Sequence, residues 1–233
     1  SLFNRIDGNS VNKIIKLNSD GSIDLQFKSP EGISSTVYDI EVVANSYYVG
    51  GSFGIAKINT NGVLIDDFGD LNLQGSIYDI EINQDGIYIG GEFRLGNDNI
   101  RNLCRLTHDG DLDEQFNISE SPDAAVNTIL TDNGIIYVGG SFVTLNGSSQ
   151  RRISSLKSDG TFNKNFIVGT GFDDVVRKIK FRRDRKILIS GAFENWKGKQ
   201  ASKIVLVDKL GDYVSDNFNR LNLSNTVYDI DEI

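Results

Sequence analysis

Several residue types are scarce in this chain of 233 residues: it has no methionine, two prolines, one cysteine, one histidine and one tryptophan. The single cysteine, Cys104, excludes an intrachain disulfide, and its place in an aliphatic strand pattern predicts a buried side chain that fills the core. The single histidine, His108, lies in a predicted turn, and no Gly-x-Ser-x-Gly elbow or zinc-binding spacing occurs in the sequence. We therefore predict no catalytic residue, no metal site and no cofactor.

Long apolar runs and an excess of positive charge are missing as well. No apolar stretch approaches 18 residues, so we expect no insertion into a membrane. The 32 acidic residues outnumber the 24 basic ones, and the net charge of −8 argues against nucleic-acid binding, because phosphates attract positive charge. The exception is the segment 177–186 with its seven basic residues, which either binds an acidic partner or balances acidic neighbours.

What the sequence does contain is a tandem repeat with a period of about 50 residues, of which one unit is shortened by about ten. Its clearest part is an aliphatic or aromatic strand that ends in Gly-Gly-x-Phe. Copies end at Phe53, Phe93, Phe142 and Phe193, a remnant stands at Leu2-Phe3, and Ser190 replaces the first glycine of the last copy. Because glycine weakens a strand interior, the pair predicts a place where a neighbouring strand or sheet approaches closely.

Three further strand patterns accompany each glycine pair. A first strand precedes it, as in residues 37–40, and a third strand follows it, as in residues 14–17. An Asp-Gly or Asn-Gly turn then leads to a short fourth strand that closes on a phenylalanine, such as Phe27 or Phe218. These patterns predict an all-β chain that folds as a β-propeller of about five four-stranded blades, with one blade split between the termini.

The chain is expected to form a single domain of five blade units. Their approximate bounds are 1–36 with 226–233, 37–76, 77–124, 125–174 and 175–225. Nineteen strands can be counted where five blades need twenty, and the missing one is the second strand of the split blade. Two interpretations stay open: a five-bladed ring that closes through its split blade, or a fragment of a longer chain with more blades.

Residues 14–27 read Ile-x-x-Leu-Asn-x-Asp-Gly-Ser-Ile-Asp-x-x-Phe. Together with the Gly-Gly-x-Phe strands, this pattern resembles the delta-60 repeat, a β-propeller repeat of bacterial and phage-associated proteins, over essentially the whole chain. The resemblance implies the propeller fold and an extracellular, cell-surface or virion location. It implies little about chemistry.

The first strands carry the most prominent polar pattern. If they are innermost, two columns of side chains face the central channel, because residues two apart share one face of a strand. One column is Asp39, Asp79, Thr128, Lys178 and Asp229, and the other is Glu41, Glu81, Leu130, Lys180 and Asp231. These columns predict either a site for a cation or cationic ligand on the axis, or a water-filled channel in which the lysines offset the acidic repulsion.

The leading functional hypothesis is a non-enzymatic interaction or structural module, part of a larger polypeptide or assembly, that binds a protein or glycan partner. Contacts are expected from rim loops between second and third strands, where the units differ most: residues 4–12, 94–102, 143–152 and 194–203. In the last loop, Trp196, Lys197 and Lys199 are the candidate contact residues. The alternative for Trp196 is an exposed ring that caps the edge of a blade.

Two other functions remain open at this stage. A lectin-like glycan binder would use Tyr38, Tyr78 and Tyr228, which recur in one column of the repeat, although packing between blades explains them equally well. A polysaccharide hydrolase would use a pair of the axial carboxylates.

Overall fold

The computed structural model describes residues 5–6, 9–10, 13–33, 35–66, 68–69, 71–96, 100–214, 221 and 223–231. Strands and turns make up these ranges, and no helix occurs in them. The same ranges therefore hold no helix long and apolar enough to cross a membrane. The predicted repeat positions Leu2-Phe3 and Phe218 lie outside the described residues.

The strands are short and pair antiparallel throughout. In chain order they are β1 (Arg5–Ile6), β2 (Asn9–Ser10), β3 (Val37–Val43), β4 (Ser46–Gly51), β5 (Gly54–Asn59), β6 (Leu73–Asn83), β7 (Gly86–Leu95), β8 (Arg101–Leu106), β9 (Val126–Asp132), β10 (Ile135–Gly140), β11 (Thr144–Leu145), β12 (Ser148–Ser149), β13 (Ile153–Lys157), β14 (Val176–Phe181), β15 (Ile187–Gly191), β16 (Asn195–Trp196), β17 (Lys199–Gln200) and β18 (Ile204–Val207).

Four three-stranded sheets repeat the same design. Sheet 1 is β3-β4-β5, sheet 2 is β6-β7-β8, sheet 3 is β9-β10-β13 and sheet 4 is β14-β15-β18, each with the second strand in the middle. The predicted fourth strand is reduced in each unit to one isolated bridge, such as Leu106 with Leu112. The fourth strand ends after this bridge because the chain forms another turn, in which the amide of Phe116 donates to the carbonyl of Asp113.

Consecutive sheets lie side by side with their first strands as neighbours. Their apolar faces share cores, and an edge-to-face pair of a second-strand tyrosine with the phenylalanine that ends the unit recurs in them. The ring centroids are 5.5 Å apart for Tyr48 and Phe68, and 5.4 Å apart for Tyr88 and Phe116. Cys104 is buried in the core of sheet 2, as predicted, and burial raises the pKa of its thiol.

The glycine pair permits two close approaches, which confirms the sequence-based interpretation. A Cβ on Gly139 would lie 2.5 Å from Cγ1 of Val176 in the next sheet. A Cβ on Gly140 would lie 2.2 Å from the carbonyl oxygen of Ala125, in the residue that precedes the first strand of its own sheet. The first glycine thus lets the sheets pack together, and the second lets the strand ends meet.

All four sheets have a β-bulge where the start of the first strand pairs with the end of the second strand. In sheet 1, Val37 pairs with Gly51 and Asp39 pairs with Gly50, so Tyr38 is an extra residue without a partner. The equivalent extra residues are Tyr78, Asn127 and Arg177. A bulge interrupts the strict alternation of a strand and re-aims the side chain of the inserted residue.

Residues 14–17 and 227–230 have third-strand and first-strand sequence patterns, respectively. Neither segment belongs to a three-stranded sheet in the described part of the chain, where residues 14–17 make only the bridge between Leu17 and Ile23. The number of blades and the closure of the ring therefore stay predictions.

Candidate functional site

The first strands of the sheets surround a cavity of about 610 Å³. Nine residues line it: Tyr38, Asp39, Tyr78, Asp79, Asn127, Arg177, Lys178, Tyr228 and Asp229. We call this cavity the axial mouth. Each sheet supplies its residues through the bulge at the start of the first strand, so the repeat itself builds the cavity.

The outer layer of the axial mouth is aromatic. Tyr38 and Tyr78 make an edge-to-face pair with centroids 5.1 Å apart, and the guanidinium of Arg177 lies 5.4 Å from the ring centre of Tyr228. The Tyr78 hydroxyl donates to Oε2 of Glu92 at 3.2 Å. Tyr38 is 49 % exposed and Tyr228 is 70 % exposed. Ring surface is therefore available to a ligand in the mouth.

The inner layer joins consecutive sheets. Oδ2 of Asp39 accepts a hydrogen bond from the amide of Ile80 in the next sheet at 2.8 Å. Oδ2 of Asp79 accepts from the amide of Ile129 at 2.5 Å, and Oγ1 of Thr128 accepts from the next sheet in turn. Asp79 and Thr128 of this column are thus buried and bonded to backbone, whereas Asp39 and Asp229 line the axial mouth together with Asp79.

An ion pair closes the inner layer across the axis. Nζ of Lys178 in sheet 4 lies 2.8 Å from Oδ1 of Asp79 in sheet 2. Burial raises the pKa of Asp79 to about 7, and the ammonium of Lys178 opposes that rise. Burial favours a lower pKa for Lys178, but the attraction of Asp79, Asp39 and Asp229 outweighs it and raises the pKa. The position predicted for an axial cation is thus held by a lysine of the chain.

Below this layer lie the residues of the second predicted column. Glu81 accepts from the amide of Thr131 at 3.2 Å and from its hydroxyl at 3.0 Å, a further link between sheets. Lys180 pairs with Asp231 at 3.1 Å in an exposed position. Within the described ranges, no group of three or more His, Cys, Asp or Glu side chains is arranged to hold a metal ion.

The rim loops lie at the same end of the sheets as the axial mouth. The bulge at the start of each first strand faces the end of the second strand, and the second strand runs on into the loop. Three of these loops contain two-stranded hairpins: β1-β2, β11-β12 and β16-β17. Oδ1 of Asp173 holds the last of them through the amides of Glu194 and Asn195, each at 2.9 Å. One face thus combines a central mouth with braced hairpins.

Comparison with known proteins agrees with this geometry. Residues 1–27, 84–116 and 132–166 match a family described as "Domain of unknown function (DUF5122) beta-propeller". Among solved structures, the WD40 β-propeller domain of Doa1 is similar, with a TM-score of 0.52 and 17 % identity over 81 % of this chain and 54 % of that one. The chain is a β-propeller repeat protein.

Other solved structures resemble the propeller at similar levels. The computationally designed Ika8 protein has a TM-score of 0.50 and 13 % identity over 89 % of this chain and 67 % of its own. An extracellular domain of the putative one component system BT4673 from B. thetaiotaomicron has a TM-score of 0.40 and 13 % identity over 93 % of this chain and 35 % of its own. This propeller spans about half the length of the Doa1 chain. No match to a curated protein is found.

The structure corrects the prediction for Trp196. This side chain is 0 % exposed, stacks on Phe172 with centroids 4.4 Å apart and donates from Nε1 to the carbonyl of Gly211 at 3.3 Å. It neither offers a surface to a partner nor caps the blade as an exposed ring. Lys197 and Lys199 lie beside it on the hairpin, over the rings of Trp196 and Tyr213 respectively, and Lys199 is exposed.

The basic segment 177–186 is balanced by acidic neighbours. Lys178 and Lys180 form the ion pairs described above. Oδ2 of Asp184 lies 2.6 Å from the guanidinium of Arg182 and 2.9 Å from Nζ of Lys186. Arg185 forms an ion pair with Asp132. Hydrogen bonds from Arg182 and Lys186 hold the pKa of Asp184 well below its usual range. These pairs support the charge-balance interpretation over an open anion-binding patch.

The axial ion pair gives a first testable expectation. Lys178→Met leaves the buried Asp79 carboxylate without its cation, and we expect a loss of about 2 kcal/mol in the free energy of unfolding at pH 8. Without the ammonium the pKa of Asp79 rises further, so the loss shrinks as the pH falls and the carboxyl takes up a proton. Urea unfolding at pH 8 and pH 6 measures both effects.

The matched control is Lys180→Met, two residues along the same strand. Its partner Asp231 is exposed, so we expect a loss under about 0.5 kcal/mol at either pH. Equal losses for the two variants would show that the pair with Asp79 has no special role in the propeller.

Glu41 gives a second expectation, which concerns pH. Burial, followed by the nearby charges of Asp39 and Glu81, raises the pKa of Glu41 to about 7. The folded chain therefore holds this proton more tightly than the unfolded chain, and stability is lost as the pH rises through 7. Glu41→Gln removes that loss. We expect it to stabilise the propeller by about 1 kcal/mol at pH 8 and by less at pH 5 in thermal or urea unfolding; an equal gain at both pH values would contradict the account.

Proposed function

We propose that the chain is a non-enzymatic binding module that holds a protein partner on the face formed by the axial mouth and the rim hairpins. The observation that supports this most is the row of bulges, which sends Tyr38, Tyr78 and Arg177 into the cavity that Tyr228 also lines. Tyrosine and arginine carry a large share of binding energy in protein interfaces. A partner that inserts a side chain or loop into the mouth would meet aromatic rings first and the charged layer below.

The setting around the mouth suits protein recognition. The hairpins are braced by side chains such as Asp173, so they present contacts without a large ordering cost on binding. The mouth itself combines the acidic groups Asp39, Asp79 and Asp229 with the basic groups Arg177 and Lys178. Mixed charge around an aromatic centre favours specificity more than bulk affinity.

Absence of catalysis is part of the proposal. Asp39 and Asp79 line the axial mouth, and both accept hydrogen bonds from backbone amides of the next sheet. A general acid or a nucleophile in glycoside hydrolysis needs a carboxyl that is free to reach the substrate. Among the other carboxyls of the two columns, Glu41 has a pKa raised to about 7, as a general acid needs, and loss of a polysaccharide-degrading activity in Glu41→Gln would overturn the proposal.

For the wider setting, we propose a five-bladed ring of delta-60 repeats that is closed by a split blade. The protein that carries it would be a bacterial surface, secreted or phage-particle protein and would itself be part of a larger polypeptide or assembly. The match of residues 14–27 to the repeat pattern supports this proposal. Partners would be proteins rather than nucleic acids, given the net charge of −8.

A glycan ligand is the second candidate, and the exposed rings of Tyr38 and Tyr228 favour it. Flat aromatic faces beside carboxylate and amide groups offer a sugar both stacking and hydrogen bonds. Asn127 is a weak member of such a set because its side-chain amide donates to the carbonyl of Val176 at 2.8 Å.

Two parallel screens distinguish these ligands. The chain is applied to a glycan array and to a random peptide library displayed on phage. We expect an enriched family of peptides and no glycan. Glycan binding that is abolished in Tyr78→Ala would favour the lectin, and failure of both screens would count against the axial mouth as a binding site.

A further inference from the structure

A second cavity, of about 710 Å³, lies between the rim ends of sheets 2 and 3. Arg94 of β7 and Arg101 of β8 line it from sheet 2, and Asp123 and Ala125, which precede β9, line it from sheet 3. We call it the rim cleft. Among the described residues, none lines both the rim cleft and the axial mouth, so the two cavities are separate sites on one face.

Two arginines face each other in the rim cleft. Arg94 and Arg101 are paired residues of β7 and β8, and both side chains are exposed. Like charges that lie directly opposite each other in an antiparallel pair lower stability. Within the described ranges neither arginine forms an ion pair, although Glu92 and Asp123 also line the cleft. The fold therefore tolerates a repulsion that brings it no stability.

The two carboxylates of the rim cleft are held by other donors. Oε2 of Glu92 accepts from the hydroxyl of Tyr78 at 3.2 Å. Oδ1 of Asp123 accepts from the amide of Val143 at 2.7 Å and from the amide of Thr144 at 3.0 Å, which braces the loop that leads into β11. The arginines of the cleft are thus left for a carboxylate that the described part of the chain does not supply.

Sheet 4 shows how another unit of the repeat neutralises the same place. The residue after the phenylalanine of the glycine motif is Arg94 in sheet 2 and Glu194 in sheet 4. Asn102 and Lys203 are also equivalent, because each precedes the third-strand residue that pairs with the first position of the glycine pair. Nζ of Lys203 lies 3.2 Å from Oε1 of Glu194 and donates to the carbonyl of Ala192 at 2.8 Å. Sheet 4 thus contains its own carboxylate where sheet 2 has an arginine.

Asn102, which is shorter than the lysine in its place in sheet 4, forms the floor of the rim cleft. It is buried, accepts from the amide of Phe93 at 3.3 Å and donates to the carbonyl of Pro122 at 2.9 Å. The amide of Arg101 donates to Oγ of Ser121 at 3.1 Å. These bonds join sheet 2 to the segment before β9. The cleft is therefore formed without a ligand, which lowers the ordering cost of binding.

We propose that the rim cleft binds an acidic side chain of a protein partner, with its carboxylate between Arg94 and Arg101. Guanidinium groups bind carboxylates through charge-assisted hydrogen bonds, which are often bidentate. Glu92 and Asp123 would repel a dense polyanion, so a single carboxylate with cationic groups beside it fits best. The inference rests on the proposed function only for the protein nature of the partner, because the cleft needs no ligand in the axial mouth.

The probe is the peptide Gly-Lys-Glu-Lys-Gly, acetylated and amidated so that its glutamate carries the only carboxylate. We expect saturable shifts of the amide NMR signals of residues 92–94 and 101–102. Binding should be about tenfold weaker for the same peptide with glutamine in place of glutamate, and for the variant Arg94→Gln. Arg151→Gln is the matched control, since Arg151 is exposed in the next rim loop and does not line the cleft. It should bind the peptide as the unaltered chain does.

Thermal unfolding separates binding from a structural role of the arginines. Arg94→Gln relieves the repulsion from Arg101, so we expect the melting temperature without peptide to rise by about 1 to 2 °C. A fall in the melting temperature would assign Arg94 to the stability of sheet 2 and overturn the proposal.

Three results of the titration would also overturn it. The first is equal binding of the glutamate and glutamine peptides. The second is weaker binding to the double variant Tyr38→Ala with Tyr228→Ala, which would move the peptide to the axial mouth. The third is tighter binding of dextran sulfate at the same amides, which would assign the cleft to an anionic glycan. Loss of the cleft as a site would leave the screens for the axial mouth unaffected, because the two sites have separate linings.

Discussion

Gly140→Ala is expected to unfold the propeller, with a loss of more than about 4 kcal/mol in the free energy of unfolding. The new Cβ would lie 2.2 Å from the carbonyl oxygen of Ala125 and 3.0 Å from Cα of Val126, both of them backbone atoms. A backbone obstacle cannot rotate away as a side chain does, so the bulge at the start of β9 would have to open. Thermal unfolding followed by circular dichroism measures the loss.

Gly134→Ala is the control for that experiment. Gly134 has a φ of +76°, and a Cβ there would meet only Oγ of Ser158 at 3.9 Å. The loss in the free energy of unfolding then comes from the left-handed backbone conformation alone and is about 1 kcal/mol. A Gly140→Ala chain as stable as the Gly134→Ala chain would mean that the strand ends do not meet as described.

The second large effect is expected from Trp196→Ala, with a loss of about 4 kcal/mol. The indole is fully buried between sheet 4 and the turn at Gly211, and Phe172 stacks on both Trp196 and Phe193. Its removal leaves a large cavity and an unpaired carbonyl. Urea unfolding checks the prediction, and Lys199→Ala on the same hairpin should cost less than about 0.5 kcal/mol.

A stable Trp196→Ala chain that loses a ligand would reverse this account. It would restore the tryptophan as a contact residue and place the binding surface on the hairpin β16-β17. The structure predicts the opposite: stability falls, and any loss of binding follows from unfolding.

The repeat pattern was sufficient to predict the all-β fold and the role of the glycine pair. Two adjacent glycines in a strand indicate that another part of the chain approaches the strand closely. Gly139 makes such an approach to the next sheet, and Gly140 makes one to the start of its own first strand. The fourth strand was predicted too long because a turn at residues such as Asp113 is satisfied locally, which a strand pattern does not reveal.

The axial mouth was predicted only in part. Strand alternation placed Asp39 and Asp79 toward the axis, and the structure brings them together with Lys178 and Asp229. Strict alternation would put Tyr38 and Tyr78 on the face opposite to Asp39 and Asp79, and the bulge overrides it. A bulge depends on the register between two strands, so a single strand carries no mark of it. The one usable signal was the recurrence of tyrosine immediately before the acidic column.

Trp196 was misplaced for a different reason. It lies in a polar loop and is followed by Lys197 and Lys199, which is typical of an exposed contact residue. The hairpin turns its side chain back onto Phe172, and that contact joins residues 24 positions apart in the sequence. Long-range packing of this kind has no local pattern.

The most direct test of the axial mouth is the dissociation constant of the tightest ligand from the two screens, measured by calorimetry for the unaltered chain and for Tyr38→Ala with Tyr228→Ala. The account predicts binding weaker by about 30-fold or more in the double variant, with unfolding unchanged. Leu25→Ala, an exposed apolar residue away from the mouth, should leave the constant as it is. An unchanged constant in the double variant would contradict the assignment of the mouth as the binding surface.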